Sequence, residues 1–130
     1  MILALLVQAV ALDALPKQAL PAKGCAAYLW SVADRRFVAM ASADPAQLRV
    51  ATGGKVVDVA RTDESGAGDY GFAGRTAYAG AEVSVTLDMT IVRKADLAAG
   101  AAVPAATLTI ARAGQDSVVV PVAGLIGCAS

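Results

Sequence analysis

Apolar and polar side chains alternate without interruption from residue 82 to residue 91. The apolar set is Val83, Val85, Leu87, Met89 and Ile91, and the polar set is Glu82, Ser84, Thr86, Asp88 and Thr90. A period of two places each set on its own face of a β-strand, whereas a helix would scatter the polar set around its circumference. The region from Gly80 to Lys94 is therefore predicted to hold a long strand with one buried face.

Shorter β-rich runs occupy most of the remaining chain. Gly53-Gly54 and a Gly-containing turn at 113–116 each separate two such runs, which is typical of hairpins. The predicted strands are 26–32, 36–41, 47–52, 55–61, 107–111 and 117–122, with an interrupted strand between Tyr70 and Tyr78. Residues 95–105 are predicted to form either a loop or one helical turn. Pro121 cannot donate to a ladder and is placed near a sheet edge or strand end.

This spacing predicts the fold class. Seven or eight short strands separated by turns are typical of an all-β domain, either a small antiparallel sandwich or a barrel. A chain of 130 residues fits one such domain. We assign residues 25–130 to it and residues 1–24 to a leader and spacer.

The first twelve residues resemble the apolar core of a signal peptide. They are too few to cross a bilayer, and Ala9-Val10-Ala11 fits a small-x-small cleavage site, although no Lys or Arg follows Met1. The following residues 13–24 contain Pro16 and Pro21 and are predicted to be an extended spacer. The alternative is an N-terminal core helix. Export predicts a periplasmic or extracellular location.

Two cysteines stand near the two ends of the predicted domain, Cys25 and Cys128. In an exported protein an even number of cysteines indicates a disulfide, and only one intramolecular pairing exists here. A loop of about 100 residues closed in this way stabilises the fold by about 4–5 kcal/mol in the chain-entropy model. Lipidation of Cys25 is the alternative, but Lys23 fits a lipidation signal badly.

The charge distribution argues against several partners. Eleven basic residues balance eleven acidic ones, and no Lys/Arg cluster is visible. Binding to nucleic-acid phosphates or to anionic lipid headgroups requires such clusters. The sequence therefore predicts no nucleic-acid partner, and it contains no apolar run long enough for a membrane span.

The residues that usually carry catalysis are scarce. Histidine is absent, which removes the common general base and most zinc sites. No phosphate loop or Ser-x-x-Lys motif occurs. We expect no cofactor and no metal, and we lean against an enzyme. Two alternatives stay open: a calcium site at Asp63, Glu64 and Asp69, and a glycosidase carboxylate pair such as Asp69 and Asp88.

Residues 65–80 form the most unusual segment, because five glycines there accompany three aromatic residues and an arginine. A mobile loop of this kind can present aromatic and guanidinium groups to a protein or glycan. The candidate binding residues are Asp69, Tyr70, Phe72, Arg75 and Tyr78. The alternative is that the aromatic side chains pack in the core while the glycines form bends.

Part of this segment resembles the signature region of the periplasmic C-type lysozyme inhibitors. The resemblance covers about 20 residues: Ser65-Gly66-Ala67, Tyr70, and Ala81-Glu82 followed by Val83 and Leu87. It implies a small disulfide-bearing β-barrel with a loop that enters the lysozyme cleft. The family's lysine-containing step stands here as Ala79-Gly80-Ala81-Glu82, without the lysine.

These observations predict an exported, non-enzymatic β-domain that binds a protein or another cell-envelope component. One alternative is a protein acting on cell-wall glycans, either as an enzyme or as a lysozyme-inhibitor-like protein. Another is a structural envelope subunit that pairs through the edge of the long strand 82–94.

Overall fold

The computed structural model describes residues 12–19, 21, 23–94 and 100–129. Eight antiparallel strands follow one another around a closed barrel, each paired with its neighbours along the chain, and β8 pairs with β1. This confirms the predicted fold class and decides for a barrel over a sandwich. The strands are β1 (Cys25–Ser31), β2 (Phe37–Ala43), β3 (Ala46–Thr52), β4 (Lys55–Ser65), β5 (Arg75–Ala79), β6 (Ser84–Arg93), β7 (Gly100–Ala111) and β8 (Val118–Cys128).

Alternation along the strands fills the barrel. In β6, Val85, Leu87 and Met89 point inward and are buried, while Ser84 and Thr90 are exposed, as the period of two predicts. An eight-stranded barrel has an interior just wide enough for side chains to fill. The largest completely buried side chains are Leu29, Leu48, Leu87, Leu108 and Ile110.

The predicted hairpin turns are present. Gly53 and Gly54 connect β3 to β4 with φ of 58° and 79°, the left-handed region that two-residue turns require. Gly114, with φ of 77°, lies in the turn between β7 and β8. The β1–β2 turn uses Arg35 in the same region, with φ of 59°.

The barrel closes between β1 and β8, and the disulfide lies at this seam. Cys25 and Cys128 are direct partners in the ladder, and their sulfur atoms are bonded. The predicted disulfide is therefore confirmed. Because consecutive strands run in opposite directions, the disulfide lies at the same end of the barrel as the β4–β5 connection.

Three segments differ from the predicted pattern. The strand expected between Tyr70 and Tyr78 is confined to β5, and residues 66–74 form a loop. Where a loop or helical turn was expected, residues 100–105 belong to β7, and residues 95–99 lie outside the described residues.

Pro121 lies inside β8, where a proline is unusual, and the end of the neighbouring strand β1 explains why it is tolerated. Its carbonyl accepts the Val32 N–H at 3.1 Å, so its nitrogen faces β1, and β1 has ended at Ser31. A proline is tolerated there because no strand partner needs its missing N–H.

The segment 12–19 packs against the barrel. Leu12 and Leu15 are buried, and the Leu15 N–H donates to the Phe37 carbonyl at 2.8 Å. The Asp13 carboxylate accepts the Gly54 N–H at 2.9 Å, which fixes the segment to the β3–β4 turn. The part of the predicted spacer that is described is thus docked on the domain. The predicted leader core and cleavage site, residues 1–11, lie outside the described residues.

Candidate functional site

A glycine-rich loop closes the end of the barrel that carries the disulfide. We call residues 65–74, between β4 and β5, the cap. The Phe72 side chain is buried and belongs to the core cluster. The Tyr70 hydroxyl donates to the Gly100 carbonyl at the start of β7, at 3.1 Å. The cap therefore reaches across the barrel end from β4 towards β7.

An ion pair braces the cap. The Asp69 carboxylate accepts two hydrogen bonds from the Arg93 guanidinium, at 2.7 and 3.0 Å. The same carboxylate accepts the Tyr70 N–H at 2.9 Å, and the Arg93 guanidinium carbon lies 5.2 Å from the centre of the Tyr70 ring. On the far side of the loop, the Gly74 carbonyl accepts the Met89 N–H at 2.9 Å. The middle of the cap and its C-terminal end are thus fixed to β6.

The electrostatics of this pair agree with its geometry. Hydrogen bonds from the Arg93 side chain and from the Tyr70 backbone hold the pKa of Asp69 below its ordinary value. The carboxylate in turn raises the pKa of Arg93. Asp69 is therefore ionised at neutral pH and keeps its contact with Arg93.

The five predicted binding residues do not form one surface. Asp69 and Tyr70 lie together in the cap, but Phe72 and Tyr78 are buried. Burial raises the pKa of Tyr78 to about 12. Arg75 lies on the outer wall of β5, 3.6 Å from the Asp88 carboxylate on β6. Phe72 and Tyr78 both belong to the hydrophobic core cluster. Whether the cap binds a partner stays a prediction.

The outer part of the cap is open to solvent. Residues 65–68 are all exposed. Three of them, Ser65, Gly66 and Gly68, border an open depression of about 560 Å³ together with Glu64, Asp69 and Tyr70. Small side chains leave the backbone N–H and C=O groups of this stretch accessible, so it can exchange main-chain hydrogen bonds with another molecule.

The acidic side chains of this region face basic ones. Glu64 pairs with Arg61 at 3.1 Å, and Asp69 and Asp88 lie beside Arg93 and Arg75 respectively. Across residues 12–19, 23–94 and 100–129, no three carboxylate or cysteine side chains come together in a way that would hold a metal ion. The hypotheses of a calcium site and of a carboxylate pair gain no support from this arrangement.

Two features were missed from sequence. Arg93 was not singled out, because its partner Asp69 is 24 positions away and only the fold brings the two together. The outer face of β1 was also missed, although Trp30 is exposed while the neighbouring Leu29 is buried. The available signal was that both faces of this strand are apolar. The hypothesis of a structural subunit needs a free edge on strand 82–94, but β6 pairs with both β5 and β7 and has no free edge.

Comparison with protein-family models, with curated proteins and with solved structures gives no match. In the part of the chain that the structure describes, no helix is long and apolar enough to cross a membrane.

Proposed function

We propose that this chain is an exported, non-enzymatic barrel that binds a protein of the cell envelope through its cap. The observation that carries the proposal is a glycine-rich loop that is exposed at residues 65–68 and is braced by the contacts among Asp69, Arg93 and Tyr70. A loop already held in one conformation loses little entropy when a partner binds it. Loops positioned by a rigid scaffold are the usual carriers of binding function.

Export is supported by two features of the chain. The Cys25–Cys128 disulfide fits an oxidising compartment. The apolar run of residues 1–12 and the small-x-small sequence Ala9-Val10-Ala11 fit a signal peptide with its cleavage site.

Site-specific photocrosslinking tests the role of the cap. A photoreactive phenylalanine analogue replaces Ala67 in the cap or, as the matched control, Ala113 in the β7–β8 turn at the opposite end. Both positions are exposed. In the producing cell we expect a discrete, light-dependent adduct from position 67 and none from position 113. Identical patterns at the two positions, or no adduct at position 67, would overturn the proposal.

A lysozyme-inhibitor-like protein is the second candidate. A disulfide-bearing barrel is what the resemblance implies, and the stretch Ser65-Gly66-Ala67 is exposed in the cap. The other part of the resemblance lies after β5. Ser65 pairs with Arg75 and Ala60 with Ala79, which puts the two parts about 14 Å apart along the strand.

A direct assay separates this candidate from other protein partners. We expect the purified protein to lower the initial rate of C-type lysozyme on cell-wall substrate, and Ala67→Arg to abolish the effect while Ala113→Arg does not. An unchanged lysozyme rate at a large excess of the wild-type protein rules out this partner and leaves the photocrosslinking test of the cap unaffected.

A further inference from the structure

The closed barrel separates charged from uncharged strands. All charged residues that lie within the described strands belong to β3, β4, β5 and β6. Strands β7, β8, β1 and β2 contain no Asp, Glu, Lys or Arg. Because β8 pairs with β1, these four strands are neighbours. One half of the barrel wall therefore carries no charge.

The centre of this half exposes large apolar side chains. We define the β8 face by its outward residues Trp30, Val32, Val119, Pro121 and Leu125. The exposed fraction of the residue is 39% for Trp30, 59% for Val32, 58% for Val119 and 50% for Leu125. The register makes the face continuous, since Trp30 is opposite Ala123, and the Val32 N–H reaches the Pro121 carbonyl.

The docked N-terminal segment lies beside this face and does not cover it. The Gln18 side chain accepts a hydrogen bond from Arg49 on β3 at 2.7 Å, and the Ala19 carbonyl accepts one from the Tyr28 hydroxyl at 3.1 Å. The segment thus runs along β3 and β2 and reaches β1 at Tyr28. The hydrogen bonds of residues 12–19 involve none of the five residues of the β8 face.

We propose that the β8 face is the contact surface between two copies of this chain. Two copies that meet through this face about a twofold axis bring no like charges together, because the face carries no charged residue. The net charge of the chain is zero, so the copies do not repel each other at long range. Charged residues of the β1–β2 turn, Asp34, Arg35 and Arg36, lie at the margin, where interfaces place polar groups.

The size of the face fits a weak dimer. The β8 face lies on β8 and along β1, and together with the neighbouring outer surface of β7 it forms a strip three strands wide. Strands spaced about 4.8 Å apart and the 11 residues of β8 give this strip dimensions of roughly 14 Å by 37 Å. Side-chain relief raises its accessible area towards the roughly 800 Å² per partner of a standard interface. Because two convex barrels meet, the contact stays at the low end of that class, and we expect a dissociation constant of about micromolar order.

The barrel geometry gives such a dimer a defined layout. In a ring of eight strands, β4 lies opposite β8, and the cap begins at the end of β4. Because β8 belongs to the side wall, pairing through it would leave the cap at the end of each barrel accessible. The same layout would let one dimer engage two partners and gain avidity. The pairing itself does not depend on what the cap binds.

Sedimentation velocity of the full domain tests the proposal. Between about 1 µM and about 500 µM we expect the sedimentation coefficient to rise from that of a monomer to that of a dimer. Trp30 is the single tryptophan and lies in the β8 face, so its emission should shift to shorter wavelength over the same range. A monomer throughout, with constant Trp30 emission, would overturn the proposal and leave the face to a different partner.

Matched lysine variants locate the contact. Leu125→Lys places a charge in the β8 face, and Val56→Lys places one on β4 at similar exposure, 50% against 49%. We expect Leu125→Lys to weaken dimerisation at least tenfold and Val56→Lys to leave it unchanged, with both variants folded by circular dichroism. Val119→Lys is a second face variant in case Leu125→Lys fails to fold. Equal dimerisation of face and control variants would show that the β8 face is not the contact.

Discussion

Gly124 lies at the seam of the barrel, where β8 comes closest to β1. A β-carbon built on it would collide with the backbone carbonyl of Tyr28. Backbone atoms cannot rotate away as a flexible side chain can, so a larger residue forces the two strands apart. The chain needs glycine here for space, since the φ of Gly124 is not positive.

We expect Gly124→Ala to lower the free energy of unfolding by about 2–3 kcal/mol, the upper part of the usual range for overpacking, because the added carbon meets backbone atoms. Gly114→Ala is the control, because nothing lies within 4 Å of its added β-carbon and only the φ of +77° is unfavourable. That variant should lose about 1 kcal/mol. Urea unfolding measures both. A Gly124→Ala variant as stable as Gly114→Ala would show that the seam is not tightly packed.

Tyr78 shows how burial changes a titration. Desolvation raises its pKa from 10.0 to about 12. In the unfolded chain the phenol ionises near pH 10, while in the folded chain it stays protonated. The contribution of Tyr78 to stability is therefore complete below pH 10 and is lost as the pH rises towards 12.

Ultraviolet absorbance should record this phenol as a late step. We expect the titration curve of Tyr78→Phe to lack the ionisation near pH 12. Between pH 10 and 12 the free energy of unfolding of the wild type should fall by roughly 2 kcal/mol more than that of Tyr78→Phe. If Tyr78→Phe leaves the curve above pH 11 unchanged, Tyr78 is not buried as described.

At the scale of elements, alternation predicted the strands well. β6 follows the period of two from Ser84 to Thr90, and the Gly53-Gly54 turn has the backbone conformation its sequence predicts. Both signals are local, since they depend on neighbouring residues only. The short β5 and the early start of β7 at Gly100 were not predicted, because cross-strand pairing decides their bounds.

The candidate site was predictable only in part. The glycines of residues 65–74 marked a loop, but the inward direction of Phe72 follows from the closed barrel, whose end it fills. Arg93 could not be paired with Asp69 from sequence, since the two lie on different elements. The glycine-rich composition of the sequence located the cap, whereas the contacts that hold it are visible only in the structure.

The brace of the cap gives a pH-dependent prediction. The pKa of Asp69 is lowered, so the contact with Arg93 is complete above the ordinary carboxyl value near 4 and is lost as the pH falls through the lowered pKa of the folded protein. In Arg93→Gln the ion pair with Asp69 should be absent at neutral pH as well. We expect amide hydrogen exchange at Tyr70 and Phe72 to become about tenfold faster, with exchange in the strands unchanged.

Arg49→Gln is the matched control, because Arg49 makes a similar two-bond pair with Asp58 away from the cap, at 2.7 and 3.0 Å. Hydrogen exchange followed by NMR distinguishes the two variants. Equal cap exchange in wild type and Arg93→Gln would mean that the Asp69–Arg93 pair does not hold the loop.

At the scale of the whole molecule, closure creates properties that the linear chain hides. The first and last strands carry no charge, but they lie at opposite ends of the chain, so the sequence does not show that they form one uncharged surface. Pairing of β8 with β1 joins the two segments into one uncharged half. The same pairing places Cys25 opposite Cys128, across a sequence separation of 103 residues.

Export to an oxidising compartment is the premise that joins the leader, the disulfide and an envelope partner. Intact mass of the protein isolated from its producing cell, with and without reduction and thiol alkylation, tests it most directly. We predict a mass that matches cleavage after Ala11, and alkylation of Cys25 and Cys128 only after reduction. A full-length mass with two freely alkylated thiols would contradict export and move the search for a partner to the cytoplasm.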